Sequence, residues 1–202
     1  MGSDVKGMEF AIGGAGTADR DSALAREAAW DKDAFCRLYT SYYPRIYSFI
    51  LKRLGNVADS EDATSRTFEK ALRCIDSFDP CKGSFSSWLY KIAINVSNDQ
   101  LKTGLPTRVS LEELAGALVF QGEDSAAAVQ SFVDVTNLIA RLDRGHQVVL
   151  VLKYFEGMGQ EQMAEVLECS RKAVSMRVTR ALKSLRKVMR EEGYLTVAGG
   201  GV

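Results

Sequence analysis

The stretch from Gln160 to Arg190 does most to narrow what this chain can fold into. It reads as two helices joined by a tight turn. The first is Gln160-Glu161-Gln162-Met163-Ala164-Glu165-Val166-Leu167, the turn is Glu168-Cys169-Ser170, and the second opens Arg171-Lys172-Ala173-Val174 and runs to Arg190. Ala164 is small where two steeply crossing helices need close backbones, and Val166, Leu167 and Val174 supply the apolar contact between them. From Arg171 to Arg190 there are eight Lys/Arg and no Asp or Glu. A solvated helix ordinarily mixes signs, so one-signed charge over five turns implies a polyanion as partner. An amphipathic C-terminal helix with a basic outer face is the competing reading. Turns of this kind need a residue at positive φ, which glycine adopts freely; Glu168 stands there instead.

Hydrophobic spacing extends the helical reading to nearly the whole chain. Phe35, Leu38, Tyr39, Tyr42, Ile46, Phe49 and Ile50 recur at threes and fours, which marks one apolar helix face. Pro44 is expected to kink or restart that helix near Tyr43, and Gly55-Asn56 to end it. A second helix is expected after Asp59, burying Ala63, Phe68, Ala71, Leu72 and Ile75. A third, from about Ser84, buries Trp88, Leu89, Ile92, Ala93 and Val96, after a loop at Phe78-Asp79-Pro80-Cys81-Lys82-Gly83. Thr103-Gly104-Leu105-Pro106 breaks the pattern. Further helices are expected at 131–142 and at 145–156, the latter ended by Gly157. No stretch sustains a strand's period of two. The expectation is an all-α protein of two small helical domains, 29–102 and 131–192, joined by a flexible linker over 103–130. That linker is acidic and Ala-rich, with one short helix at Leu111–Leu118. A mostly disordered tail is expected over 1–28, and a short tail over 193–202.

Composition excludes several classes. No apolar run approaches the ~18 residues of a membrane span, and no secretion signal is visible at the start, so a cytoplasmic protein without membrane insertion is expected. Cys36, Cys74, Cys81 and Cys169 lie far apart without CxxC spacing, which reads as reduced thiols and no metal site. The lone His146, among apolar residues at a helix start, reads as packed or solvated. No catalytic Ser/His/Asp spacing, carboxylate pair or phosphate-binding Gly loop is present, so neither an enzyme nor a bound cofactor is expected. The net charge of +0 conceals a division. Basic residues gather at the C-terminus, and acids at Asp59-Ser60-Glu61-Asp62 and through Glu112 to Asp124. Such a chain suits DNA binding in company with a larger partner.

Three segments carry a family resemblance. Asp59-Ser60-Glu61-Asp62-Ala63-Thr64-Ser65-Arg66-Thr67-Phe68-Glu69-Lys70-Ala71-Leu72 resembles the D-x-E-D-x-x-x-x-x-F-x-K-A signature of bacterial sigma factors. Phe85-Ser86-Ser87-Trp88-Leu89-Tyr90-Lys91-Ile92-Ala93-Ile94-Asn95 is similar to their F-x-x-W-L-x-x-I-A-x-N segment. Leu150-Val151-Leu152-Lys153-Tyr154-Phe155-Glu156-Gly157-Met158 is similar to the helix that leads into their promoter reader. With two domains and a short linker, the resemblance is to the extracytoplasmic function (ECF) group of the sigma-70 family, over roughly residues 30–102 and 131–190.

The resemblance implies sigma domain 2 and sigma domain 4, and a subunit that brings core RNA polymerase, through its β′ and β subunits, to promoter DNA. It also implies an anti-sigma factor as a further partner. By position in the family pattern, Asp59, Glu61 and Asp62 fall on the helix that docks on the β′ coiled coil. The local alternative is that these acids merely complement the helix dipole. Asn95 and Asp99 fall where the family meets the −10 strand, with Lys102 and Arg108 on phosphates. Trp88 and Tyr90 read as core rather than as stacking platforms. The −35 contacts fall on Lys172, Ser175, Met176, Thr179 and Arg180, with Arg171 and Arg177 on phosphate. Two departures stand out: few basic residues follow Asp99, and Ser175 sits where several relatives are basic. Two other readings stay open, a stand-alone helix-turn-helix regulator and a sigma mimic that sequesters an anti-sigma factor.

Overall fold

The computed structural model describes residues 15–103, 134, 135 and 137–194, and among these every regular element is helical. The N-terminal block holds α1 (Ala15–Glu27), α2 (Lys32–Leu54), α3 (Val57–Cys74) and α4 (Phe85–Thr103), with short 3-10 turns at Ile75–Ser77 and Pro80–Lys82. The C-terminal block holds a helical turn at 137–140, α5 (Arg144–Leu150), α6 (Gln160–Val166) and α7 (Arg171–Glu191).

The ends of these helices follow from side-chain and backbone hydrogen bonding. Asp31 and Asn56 cap α2 and α3 by accepting from the backbone N–H of Asp33 (2.9 Å) and Asp59 (2.8 Å). α3 therefore opens at Val57, ahead of the acids expected to start it, and Asp59 lies within its first turn. Gly55 ends α2 at φ 67°, its N–H donating to Leu51 O at 2.9 Å. Asp143 and Ser170 cap α5 and α7 through the N–H groups of His146 and Ala173.

Pro44 does not restart the helix: α2 runs unbroken from Lys32 to Leu54. The missing N–H forfeits the bond to the Thr40 carbonyl, and an interior proline costs about 3 kcal/mol. Tyr42, Ile46, Phe49 and Ile50 are buried on the core side of the same helix. Each buried side chain of that size contributes about 1.5–3 kcal/mol, which outweighs the break. Leu38, Ala63, Phe68, Ala71, Phe85, Leu89, Ala93 and Val96 complete this core.

Three expectations are corrected. The segment Ala15–Glu27, expected to lack regular structure, is helical, with Ala25 in it and Ala28 in the turn after it both buried and Asp21 accepting from the Tyr42 hydroxyl at 2.6 Å. Leu72, expected inside, is 49% exposed. Tyr39 lies at the rim, 40% exposed, with its ring 4.7 Å from that of Phe68. Trp88 is half-buried against Phe78 and Phe85, whereas Tyr90 is fully enclosed. The expected linker over 103–130, its short helix and the start of the 131–142 helix lie outside the described residues, Thr103 excepted.

α5 continues as one π turn, Val151–Phe155, in which Glu156 N–H reaches back to Val151 O. Gly157 at φ 63° then stops it, and Met158 N–H closes on Leu152 O at 2.9 Å. The two blocks pack directly on each other, chiefly α6 against α4 and the π turn against α2.

Candidate nucleic-acid interface

The helix-turn-helix is present as read. Gly159 N–H donates to the Gln162 side chain at the start of α6, Met163 and Val166 are buried, and the turn passes through Glu168 at φ 48°. Among the described residues Glu168 is the one non-glycine at positive φ. The left-handed backbone there turns the chain from α6 toward α7, at a steric cost to the Glu168 β-carbon that glycine would not bear.

α7 buries Val174 and Ala181 and half-buries Val178, Leu182, Leu185 and Val188, so one face is committed to packing. Arg171, Lys172, Ser175, Met176, Arg177, Thr179 and Arg180 are all exposed on the remaining surface, Met176 to 47%. This is a platform of nearly three turns carrying cations, hydroxyls and one apolar tip, the donor and methyl set that reads base edges in a major groove. Two members are partly engaged. The Arg171 guanidinium pairs with Glu161 Oε1 at 2.8 Å and pins the start of α7 to α6. The Thr179 hydroxyl donates to Ser175 O at 3.0 Å, leaving its lone pairs outward.

On α4, Asn95 and Asp99 are both exposed. The helix continues to Thr103, so neither Asn98 nor Asp99 is a C-terminal cap. Asn98 instead accepts from Arg53 Nη2 at 2.7 Å. Lys102 Nζ sits 2.8 Å from Asp99 Oδ1, and this ammonium, with weaker help from Lys70 and Arg66, holds the Asp99 carboxyl below its ordinary range. Lys102 is therefore shared between Asp99 and any phosphate. Arg108 lies outside the described residues.

Asp59, Glu61 and Asp62 are exposed on α3. Asp59 Oδ1 accepts from Gln100 Nε2 at 3.2 Å, and Gln100 Oε1 accepts from Arg66 at 3.1 Å. Arg66 lies 3.6 Å from Asp62. The acids and the C-terminal half of α4 thus belong to one polar strip. Glu61 lies near Tyr43 and Tyr47, whose hydroxyls are pushed up chiefly by burial and further by its charge.

Sequence reasoning missed Lys52 and Arg53, both buried where α2 meets α4 and the C-terminal block. Lys52 Nζ lies 5.0 Å over the Phe155 ring and bonds the Ser48 hydroxyl. Burial pulls its ammonium down to about 8, against a smaller upward pull from Glu156. Arg53 bonds Ser97 and Asn98, and burial, then repulsion from Arg144, pulls its guanidinium down to about 10. The signal was available: Ile46, Phe49, Ile50 and Arg53 continue one helical spacing. Among the described residues no group of His, Cys, Asp and Glu is placed to hold a metal, and no helix is long and apolar enough to cross a membrane.

The family models for Sigma-70 region 2 and Sigma-70, region 4 match residues 38–104 and 132–185. A curated relative, the ECF RNA polymerase sigma factor SigW of Bacillus subtilis, is 31% identical over 172 residues, 80% of this chain and 91% of that protein. The chain belongs to the ECF group of sigma-70 factors. A second relative, the ECF RNA polymerase sigma factor BldN of Streptomyces coelicolor, is 31% identical over 186 residues, 87% of this sigma factor and 69% of that one. Among solved structures, CnrH in complex with the cytosolic domain of CnrY superposes with a TM-score of 0.65 at 27% identity, covering 85% of this chain and 97% of that one. The sigma factor RpoE of Bartonella quintana, in complex with the anti-sigma factor NepR, shares the fold at a TM-score of 0.60 and 19% identity, over 79% and 98% of the two chains. The N-terminal block is thus sigma region 2 and the C-terminal block sigma region 4.

Proposed function

We propose that this chain is an alternative sigma factor: it binds core RNA polymerase and directs it to promoters, region 4 reading the −35 element and region 2 reading and opening the −10 element. One observation carries the reading. A cationic reader on α7 and an exposed acidic docking strip on α3 occupy a single chain of the ECF family. The reader takes up the −35 duplex through Lys172, Ser175, Met176, Thr179 and Arg180, with Arg171 and Arg177 on phosphates. Asp59, Glu61 and Asp62 meet basic groups of the β′ subunit. Asn95 and Asp99 contact an extruded −10 base, where hydrogen bonds and stacking offset the few kcal/mol lost from the duplex stack.

It follows that the protein acts in the cytoplasm as a specificity subunit rather than as a catalyst. An anti-sigma partner fits it as well: RpoE, whose fold this chain shares, is held in its solved structure by the anti-sigma factor NepR. A stand-alone regulator leaves the α3 acids without a role, and a pure mimic leaves α7 without one.

Run-off transcription with core polymerase on a promoter library tests the proposal. Specific transcripts that need both the protein and core enzyme are expected, with little specific duplex binding by the protein alone at physiological salt. Nanomolar promoter footprints by the free chain, together with failure to bind core enzyme, would establish the regulator instead.

A further inference from the structure

Two guanidinium groups are moored on the last turns of α4, and among the described residues neither is paired with a carboxylate. Arg53, one residue before the end of α2, is fully enclosed. Its Nη1 donates to the Ser97 hydroxyl and, at 3.5 Å, to Ile94 O, while its Nη2 donates to Asn98 Oδ1 at 2.7 Å. All three acceptors are neutral. The Nε–H is buried too and has no partner among the described residues. Arg144, at the start of α5, reaches the same helix from region 4, its Nη2 donating to Leu101 O at 2.5 Å. Asn98 and Leu101 stand three residues apart on α4, which makes them neighbours along one face. The two guanidinium groups are near enough that the Arg144 charge adds to burial in lowering that of Arg53.

The acids nearby are committed elsewhere. Asp99 pairs with Lys102 at 2.8 Å, Asp143 caps α5 and pairs with His146, and Glu156 accepts from Tyr90 while its charge acts on Lys52 and Arg45. A buried cation is ordinarily paired, because a lone charge out of water costs several kcal/mol. Neutral acceptors fill the hydrogen bonds of Arg53 without offsetting its charge. What complements the pair is an anion able to accept from two guanidinium groups at once. Tetrahedral phosphate does this, since a planar guanidinium fork matches two of its oxygens and others stay open to a second donor. Arg144 keeps four N–H groups besides the one on Leu101. Its side chain is exposed, which gives an anion its way to the pair.

We propose that Arg53 and Arg144, held on α4 by Asn98 and Leu101, form a binding site for a phosphate-class oxyanion, either inorganic phosphate or the phosphoryl group of a small ligand. The site uses none of the residues assigned to promoter or polymerase and stands whether or not the sigma-factor reading does.

The test uses the full chain. Thermal midpoints are followed as inorganic phosphate replaces chloride at constant ionic strength. A saturable rise is expected, about 3–6 °C at ten times the half-saturating concentration. Arg144→Leu, at an exposed position, should abolish it. Arg144→Lys keeps the charge without the fork and should raise the half-saturating concentration several-fold. Arg53→Met removes the buried charge and should be as stable as wild type in chloride, with no response to phosphate. Arg180→Ala, on the α7 reader, should keep the full rise. Glycerol 3-phosphate titrated in parallel separates the two sources: tighter binding than phosphate assigns the site to a phosphorylated ligand, weaker binding to the free ion.

An equal rise in wild type and Arg144→Leu, as exclusion of phosphate from protein surfaces in general would give, overturns the site. So does a rise lost in Arg180→Ala and kept in Arg144→Leu, which moves the phosphate to the α7 cations. A wild type indifferent to phosphate overturns it as well. If replacing Glu112, Glu113 and Glu123 by Gln and Asp124 by Asn then makes the chain responsive, its own carboxylates hold the pair instead.

Discussion

Glu168 carries two opposed effects in one side chain. Its φ of 48° strains an L-residue, while its carboxylate lies 3.1 Å from Lys91 of α4. An exposed pair of this kind contributes about 0–1 kcal/mol, and removing the β-carbon from a left-handed site recovers roughly 1 kcal/mol. Glu168→Gly should therefore leave the full chain unchanged or slightly more stable, while Glu168→Gln, which keeps the strain and loses the charge, should be neutral or destabilised by up to about 1 kcal/mol. Denaturant melts of both variants decide it; a Gly variant clearly less stable than the Gln variant would show that the turn is not strained. On the reader face, Arg180→Ala should cost about 1–3 kcal/mol and relax preference at one −35 position. Lys187, two turns farther on and 3.8 Å from Glu191, should on replacement by Ala weaken all −35 variants evenly or not at all. Competition binding of the holoenzyme across single-base −35 variants separates the two; parallel losses for both would move the base-reading turn.

At the scale of the element, α4 combines two tasks on different residues: Ser87, Tyr90 and Lys91 meet Glu165, Glu156 and Glu168 of region 4, while Asn95 and Asp99 stand in solvent. Asn95→Ala and Asp99→Ala should leave core binding intact and change which −10 sequences support transcription. A premelted template should restore opening without restoring the original base preference. Abortive initiation on duplex and bubble templates with each −10 substitution measures this, and an unchanged preference in both variants removes these residues from the site. Helix faces were the most legible part of the sequence, because burial repeats every three or four residues and leaves a periodic trace from Leu38 to Val96. Gly55, Gly157 and the strained Glu168 were legible for the same kind of reason, since a backbone requirement narrows the residue type. α1 was not, because its contact rests on small Ala25 and Ala28 and on one bond from Tyr42 to Asp21, too few apolar positions to form a stripe. Nor was the contact between α4 and region 4 legible. Ser87 and Glu165 are 78 residues apart, and a polar pair that distant has no local signature. The reader cations on α7 were legible as a class, but the pairing of Arg171 with Glu161 was visible only in three dimensions.

Across the whole molecule, the buried Lys52 makes stability depend on pH in an uncommon direction. Its ammonium titrates near 8 in the folded chain and at its ordinary, higher value when unfolded. Below about pH 8 both states are charged and the folded one bears the burial cost. Above it the folded chain sheds the proton that the unfolded chain still holds, so stability rises with pH. Thermal midpoints should therefore climb between pH 8 and 9.5, and Lys52→Met should flatten the climb. Beyond that window Tyr42 and Tyr90, whose hydroxyls are pushed up mainly by burial, act in the opposite sense. A midpoint that falls steadily from pH 8 in the wild type would show that Lys52 is solvated in solution.

Asp59, Glu61 and Asp62 stand in solvent while α4 and region 4 are in contact. On the proposed docking role of these acids, capture by polymerase is expected to come first and any separation of the two blocks second. Mixing the sigma factor with excess core enzyme should give a fast phase whose rate grows in proportion to enzyme concentration and depends on salt. A slower phase should follow whose rate levels off, because it belongs to a single molecule rearranging. Weakening the contact between α4 and region 4 should lift that plateau and leave the initial slope untouched, so that the pace of the second phase is set inside the sigma factor itself.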